Sequence, residues 1–339
     1  MRRRWTYAIP WLITVMIFVY IFYRVPFPEV FAALRQARLL PYVALMVPYS
    51  VVYCLVDAFV VTRLVQWFHR RVPYRRILPV RASSYILSLL NPGLGQGALA
   101  YYVHRRERIP FLALAGTMLF LAVMEFCQLA LYAAVGIFGF HAHLRTAFAP
   151  FYAVLVGVLG IGLLLLHGGM GGLAPLLTRL ARWLRRDPSY CLQLRSPALL
   201  GTLRQARLFH YVLTLLYKAP NFFLAVVVHY FALQQFGVHV PLVHLFTFLP
   251  IVFLVAALPI TVAHLGTSQA AWLYFFAAYG AESQLLAYSL VAHVTFMVLN
   301  GLIGLVFLPW ALQEGDGAKT VVPGTDVRSP RSMPEVPET

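Results

Sequence analysis

The 339-residue chain is 61% hydrophobic and 11% charged, whereas soluble domains run at about 45–50% apolar and about 25% charged. Its net charge of +16 does not point to nucleic acid, because the 27 Lys and Arg residues are divided among short stretches between apolar runs and form no single basic segment. What remains is an all-α polytopic membrane protein.

Apolar runs long enough to cross about 30 Å of hydrocarbon fall at residues 7–23, 42–62, 111–139, 149–168, 208–233 and 286–311, which predicts six full spans. The first follows Arg2–Arg4 and is not succeeded by a small-residue cleavage site, so it reads as a retained span and not as a secretion signal. With Arg2–Arg4 in the cytoplasm, the positive-inside rule places loops 63–81, 104–108 and 171–207 there too. These hold six, three and seven arginines. The other side has only Arg24, Arg35, Arg38 and Arg145 before the last span, and residues 234–285 carry no Lys or Arg.

That charge pattern interprets LLNPGLGQGALAYYVHRRER, Leu89 to Arg108. Arginines flank residues 82–103 on both sides, so the segment enters and leaves on one face. Two arms of about ten residues, about 15 Å each, reach mid-bilayer and cannot cross. Asn91–Gly97 is then the tip, and backbone that is not helical at such depth needs protein or water around it. The alternative is one kinked span, which would place residue 106 on the outer face. A second interrupted segment, residues 245–280, has no basic flank and is expected to dip from the outside. LGQGALAYY (94–102) and LGTSQAAWLYF (265–275) resemble each other. Residues 1–145 and 146–312 thus read as span, span, hairpin, span, repeated upside down, the inverted-repeat plan of transporters.

Asn91–Pro92 with its aromatic and basic exit, and Leu258-Pro259-Ile260-Thr261 running into Leu265-Gly266, resemble the transmembrane, flippase-like region of lysylphosphatidylglycerol synthases and their stand-alone bacterial and archaeal relatives. The resemblance covers about residues 5–312 and implies movement of a lipid between leaflets of a bacterial inner membrane. No synthase domain accompanies it here. Family members commonly carry Glu and Arg where this chain has Gln96 and Tyr101, and Glu where it has Ser268-Gln269. Amides still hydrogen-bond a head group but do not exchange protons near neutral pH. The expected substrate path runs along Asn91, Gly93, Gly95 and Gln96 at one tip and Pro259, Thr261, His264, Gly266 and Gln269 at the other. Membrane lipids are the expected partners, with a cytoplasmic lipid-modifying enzyme as a further one.

Asp57, Glu125 and Lys218 fall inside spans, where a charge costs about 2.5–3.5 kcal/mol on insertion scales and needs a partner. Asp57 lies about 9 Å from the predicted cytoplasmic end of its helix and is expected to pair with loop arginines. Glu125 and Lys218 lie at about 21 Å and about 15 Å, so they are expected to meet, with Gln128 on the same face. Pro220 is expected to kink its helix and free the Leu216 carbonyl beside Lys218. A phosphate role for that cation stands against a purely structural pair.

The remaining features are read plainly. Residues 173–186 form a basic amphipathic helix suited to the anionic inner leaflet; His141 and His143 sit in a solvated outer loop, and His264 and His293 are packing residues. Cys54, Cys127 and Cys191 fit neither a disulfide framework nor a zinc site. Residues 313–339 read as a disordered cytoplasmic tail. No Walker loop is present and no cofactor or metal is expected. Residues 82–103 and 245–280 contain no Asp, Glu, Arg or Lys, so a lipid phosphatase built on inverted hairpins lacks its nucleophile and its cation. A lipid translocase leads, and an accessory subunit that scaffolds a lipid-modifying enzyme or glycosyltransferase is the alternative.

Overall fold

Prolines decide where several of the helices stop. The computed structural model describes residues 2–89, 92–167, 197–257 and 265–316. Asn91, Pro259, Thr261, His264, Cys191, the stretch 173–186 and the tail from residue 317 lie outside the described residues.

Helix α1 (Arg2–Arg24) ends before Pro26 and Pro28, and α2 (Phe27–Gln36) leaves at 77° to the Leu12–Arg24 part of α1. A proline has no amide to continue one helix but a preset φ to begin another. Then follow α3 (Leu39–Phe68), α4 (Tyr74–Ser88), α5 (Pro92–Glu107), α6 (Phe111–Phe140) and, after a 3-10 turn, α7 (Arg145–His167). The remainder comprises α8 (Pro197–Gln205), α9 (Leu208–Gln234), α10 (Leu242–Ala257), α11 (Thr267–Phe276) and α12 (Glu282–Asp316). Among the described residues there is no strand. Among the described residues four helices, α3, α6, α9 and α12, are long and apolar enough to cross a membrane, and the bent α1–α2 pair raises that to up to five.

Several expectations change. Residues 63–81 are not a loop: α3 continues to Phe68 and α4 begins at Tyr74, because Arg is a good helix former and only the Pro73 junction breaks the pattern. The glycines 93–97 are not the hairpin tip; they are helical, within α5, and α4 ends at Ser88. Pro92 opens α5, which is where proline fits a helix best. Gly95 is there for contact, since a Cβ on it would lie 1.8 Å from Ser88 Oγ and 3.0 Å from the Ser84 carbonyl oxygen of α4. The arms are therefore 15 and 16 residues long, about 23 Å each. Helix α12 runs to Asp316, into the stretch assigned to the tail. His141 is buried at the end of α6 and not solvated, its ring centroid 4.7 Å from that of His244 on α10.

The chain does double back at both interrupted segments. Arg106 of α5 donates to the Arg76 carbonyl of α4 at 3.2 Å, and Glu107 lies 3.5 Å from the Arg76 guanidinium. At the second segment, Phe248 of α10 stacks on Phe275 of α11 at 5.2 Å, and His244 meets Tyr279 at 5.1 Å.

Helix α3 packs on α9, α4 on α12, α10 on α6, α2 on α12 and α8 on α6. In lipid such contacts gain little from excluding water and depend on close van der Waals fit, which small residues permit. Gly304 of α12 sits under Ile86 and the Ala82 carbonyl of α4, and Gly136 of α6 sits against the Thr247 backbone of α10. Gly116 of α6 faces the Leu199 carbonyl of α8, 2.1 Å from where a Cβ would be. One buried cluster, with Tyr42, Leu249, Phe276 and Tyr288, gathers the second half and the start of α3; another, with Leu64, Leu114 and Phe120, lies near the arginine-rich end. At that end Arg70 and Arg76 flank Glu107. At the opposite end Arg24 joins Glu282, and the Arg38 amide donates to the Gln235 carbonyl.

Candidate functional site

Asp57 is wholly buried, because α3 runs eleven residues past it and carries it about 16 Å from the helix end. The expected interfacial pairing therefore becomes an interior one. Arg81 Nε donates to Asp57 Oδ2 at 2.5 Å and the Tyr85 hydroxyl to the same oxygen at 2.9 Å. Both donors come from α4, so the first hairpin reaches the site through its first arm. Lys218 Nζ of α9 donates to Asp57 Oδ1 at 3.0 Å and also to Glu125 Oε1 of α6. Four helices thus meet through two cations and two carboxylates, with no charge left over. The Arg81 guanidinium lies over the Tyr85 ring, 4.8 Å from its centroid, which screens its face from lipid.

Lys218 is 6% exposed and already shared between two carboxylates, while the Glu125 side chain is 33% exposed. Glu125 is thus the more open of the pair toward a cavity of about 330 Å³ bounded by α3, α6, α9, α10, α11 and α12. Gln128 lines the same cavity and donates to the Tyr132 hydroxyl at 2.9 Å and the Leu215 carbonyl at 2.8 Å. The Leu215 carbonyl adjoins that of Leu216, which Pro220 has no amide to bond. Asn221 follows Pro220, and its side-chain oxygen is buried without a hydrogen-bond partner among the described residues.

The second segment supplies a further part of the lining. Ser268 and Trp272 of α11 line the cavity, and so does His229, whose Nδ1 lies 2.5 Å from the Tyr288 hydroxyl. Tyr49, Tyr53, Phe222 and Phe296 make the rest largely aromatic. A space with one charged side, a few amides and hydroxyls, and aromatic walls can take a polar group attached to an apolar body.

Of the residues expected to line a shared path, Gly93, Gly95, Gln96, Gly266 and Gln269 are among the described residues, and none of these five lines this cavity. Gly93 is exposed, Gly95 is used up in the α4–α5 contact, and Gln96 has its Oε1 buried without a partner among the described residues. None of the three lines the cavity. Gly266 adopts φ +92° and packs on Ile17 of α1, a conformation that glycine adopts without steric cost. Gln269 caps α11, its Oε1 accepting from the Gly266 amide at 2.6 Å. His293 does line the cavity. Arg81 is one of the arginines of 63–81 expected to pair with Asp57, although it lies on a helix; Tyr85 was missed because it carries no sequence signal beyond its spacing, four residues on and so on the same helix face. Among the described residues no three His, Cys, Asp or Glu side chains assemble as a metal-ligand set.

No curated protein and no solved structure matches the chain. Residues 7–304 match the family described as the lysylphosphatidylglycerol synthase TM region, so this membrane-embedded helical chain, which would contact membrane lipids, belongs to that family and shares its lipid-related setting.

Proposed function

We propose that the chain is a lipid translocase of a bacterial inner membrane and not an enzyme. Six spans and two re-entrant hairpins form an inverted repeat, with both termini cytoplasmic. The packing pairs support the repeat: exchanging the halves turns α4 on α12 into α10 on α6, and α2 on α12 into α8 on α6, while α3 on α9 maps to itself. The arginine-rich end is the cytoplasmic one. A head group enters the cavity while the acyl chains remain in lipid.

The observation that carries this reading is the cavity itself: about 330 Å³, walled by both halves of the chain, with Glu125, Lys218 and Ser268 in its lining. Glu125 is the residue that meets the head group, because it is the most open member of the ion cluster. Reconstitution into liposomes with fluorescent lipids tests it. The parent is expected to accelerate exchange between leaflets, and Glu125→Gln to slow it about tenfold, equivalent to about 1.4 kcal/mol. Equal rates at equal incorporation would reject the role of Glu125, and no acceleration by the parent with any lipid tried would reject translocation.

A second reading has its own support. Arg63, Arg70, Arg71, Arg75 and Arg105 are exposed at one end of the helix bundle, a surface suited to an acidic cytoplasmic enzyme. As an accessory subunit the chain would co-purify with that enzyme and leave lipid exchange unchanged.

A further inference from the structure

A second hollow, of about 540 Å³, lies between α1 and α11, outside the central cavity. Ile17, Tyr20, Ile21 and Arg24 form one wall and Thr267, Ala270, Ala271 and Tyr274 the other. Each set has the 3-1-3 spacing of a single helix face, so two helices present matched stripes about 10 Å long. Helix α1 meets the start of α11 at the inner end of these stripes and the first residue of α12 at the outer end. At the inner end Gly266 fits against Ile17, with Ile17 Cγ2 only 3.2 Å from where a Cβ would be. At the outer end Arg24 Nε and Nη2 donate to the two oxygens of Glu282 at 2.9 and 2.5 Å. Small residues on α11 keep the space between them open.

We infer that this groove holds one phospholipid with a zwitterionic head group: an acyl chain along the α1–α11 walls, the phosphate on the Arg24 guanidinium and the ammonium on Glu282. The walls are apolar, and Tyr20 and Tyr274 at the rims are 63% and 80% exposed, so in a membrane the groove opens to lipid and not to water. Its charged mouth lies at the end of α1 beside Tyr20 and Tyr23, the kind of aromatic pair that sits at head-group level. The guanidinium has five N–H donors and gives two to Glu282, which leaves donors for a phosphate. Charge complementarity selects the lipid class. Arg24 and Glu282 sum to zero, so an anionic head group would leave a charge unmatched while a phosphate–ammonium pair matches both.

Native mass spectrometry of the full chain, released from detergent after titration with dioleoyl phosphatidylethanolamine or dioleoyl phosphatidylglycerol, tests this without reference to lipid movement. The parent is expected to retain one phosphatidylethanolamine, with about tenfold preference over phosphatidylglycerol. Arg24→Gln should remove that preference, and Ala270→Trp should lower occupancy about tenfold by filling the groove. If Ala270→Trp does not fold, Ala277→Trp at the exposed mouth serves the same purpose. Equal retention of both lipids by the parent, or unchanged occupancy in a folded tryptophan variant, would mean annular lipid only and would overturn the assignment. Because the readout is binding, it fails or stands independently of translocation.

Discussion

Asp57 accepts three hydrogen bonds at a depth where no solvent reaches it, and both of its charged donors depend on it. Taking out one partner of a buried ion cluster costs about 3–5 kcal/mol, since the other charges stay desolvated. Asp57→Asn is therefore expected to lower the unfolding midpoint in detergent far more than Glu125→Gln, which leaves Lys218 its bond to Asp57. Similar midpoints for the two variants would mean that the cluster does not hold the four helices together. Counting helical rise from the span ends was enough to expect Glu125 and Lys218 in contact, because both helices end within a residue of their predicted limits. The same arithmetic gave Asp57 an arginine from 63–81 as its partner, and Arg81 is one, but it placed the pair at the interface because α3 outlasts the predicted span by six residues.

At the scale of elements, glycine positions report contacts more faithfully than they report breaks. The NPGLGQG motif was read as a turn, yet its glycines lie within α5, where Gly95 lets two arms of a hairpin approach. Periodicity alone does not distinguish a glycine that bends a chain from one that clears room for a neighbour. Gly116 is the severest case, since the obstacle is the Leu199 carbonyl and backbone does not rotate away as a side chain does. Overpacking of this kind costs about 1–3 kcal/mol, and Gly116→Val should loosen α8 from α6. Faster amide exchange in α8, with α9 unchanged, is the expected signature; unchanged exchange in α8 would show that the short helix is held by other contacts. By contrast the bend after α1 was marked in the sequence by Pro26 and Pro28, although α2 itself was not anticipated.

For the whole molecule, the arginine count assigns one end of the bundle to the cytoplasm, because insertion sorts charge by side, and labelling tests that assignment. Single cysteines at residues 76 and 106, at the joined ends of the first hairpin, should be labelled by an impermeant reagent from one face of the membrane, and a cysteine at residue 35 from the other. Labelling of 76 and 106 from opposite faces would make the first segment a crossing one. The central cavity was not legible in this way, since it is lined by residues such as Ser268, Trp272 and Tyr53 that look like ordinary span residues until six helices bring them together.

The four-residue ion cluster carries two positive and two negative charges. A field across the membrane does work in proportion to the net charge displaced, about 2.3 kcal/mol per elementary charge per 100 mV. Shifting the quartet as a unit through that field therefore costs nothing electrically, and under the proposed translocation any voltage dependence arising from such a shift would report the charge of the passenger, not of the protein.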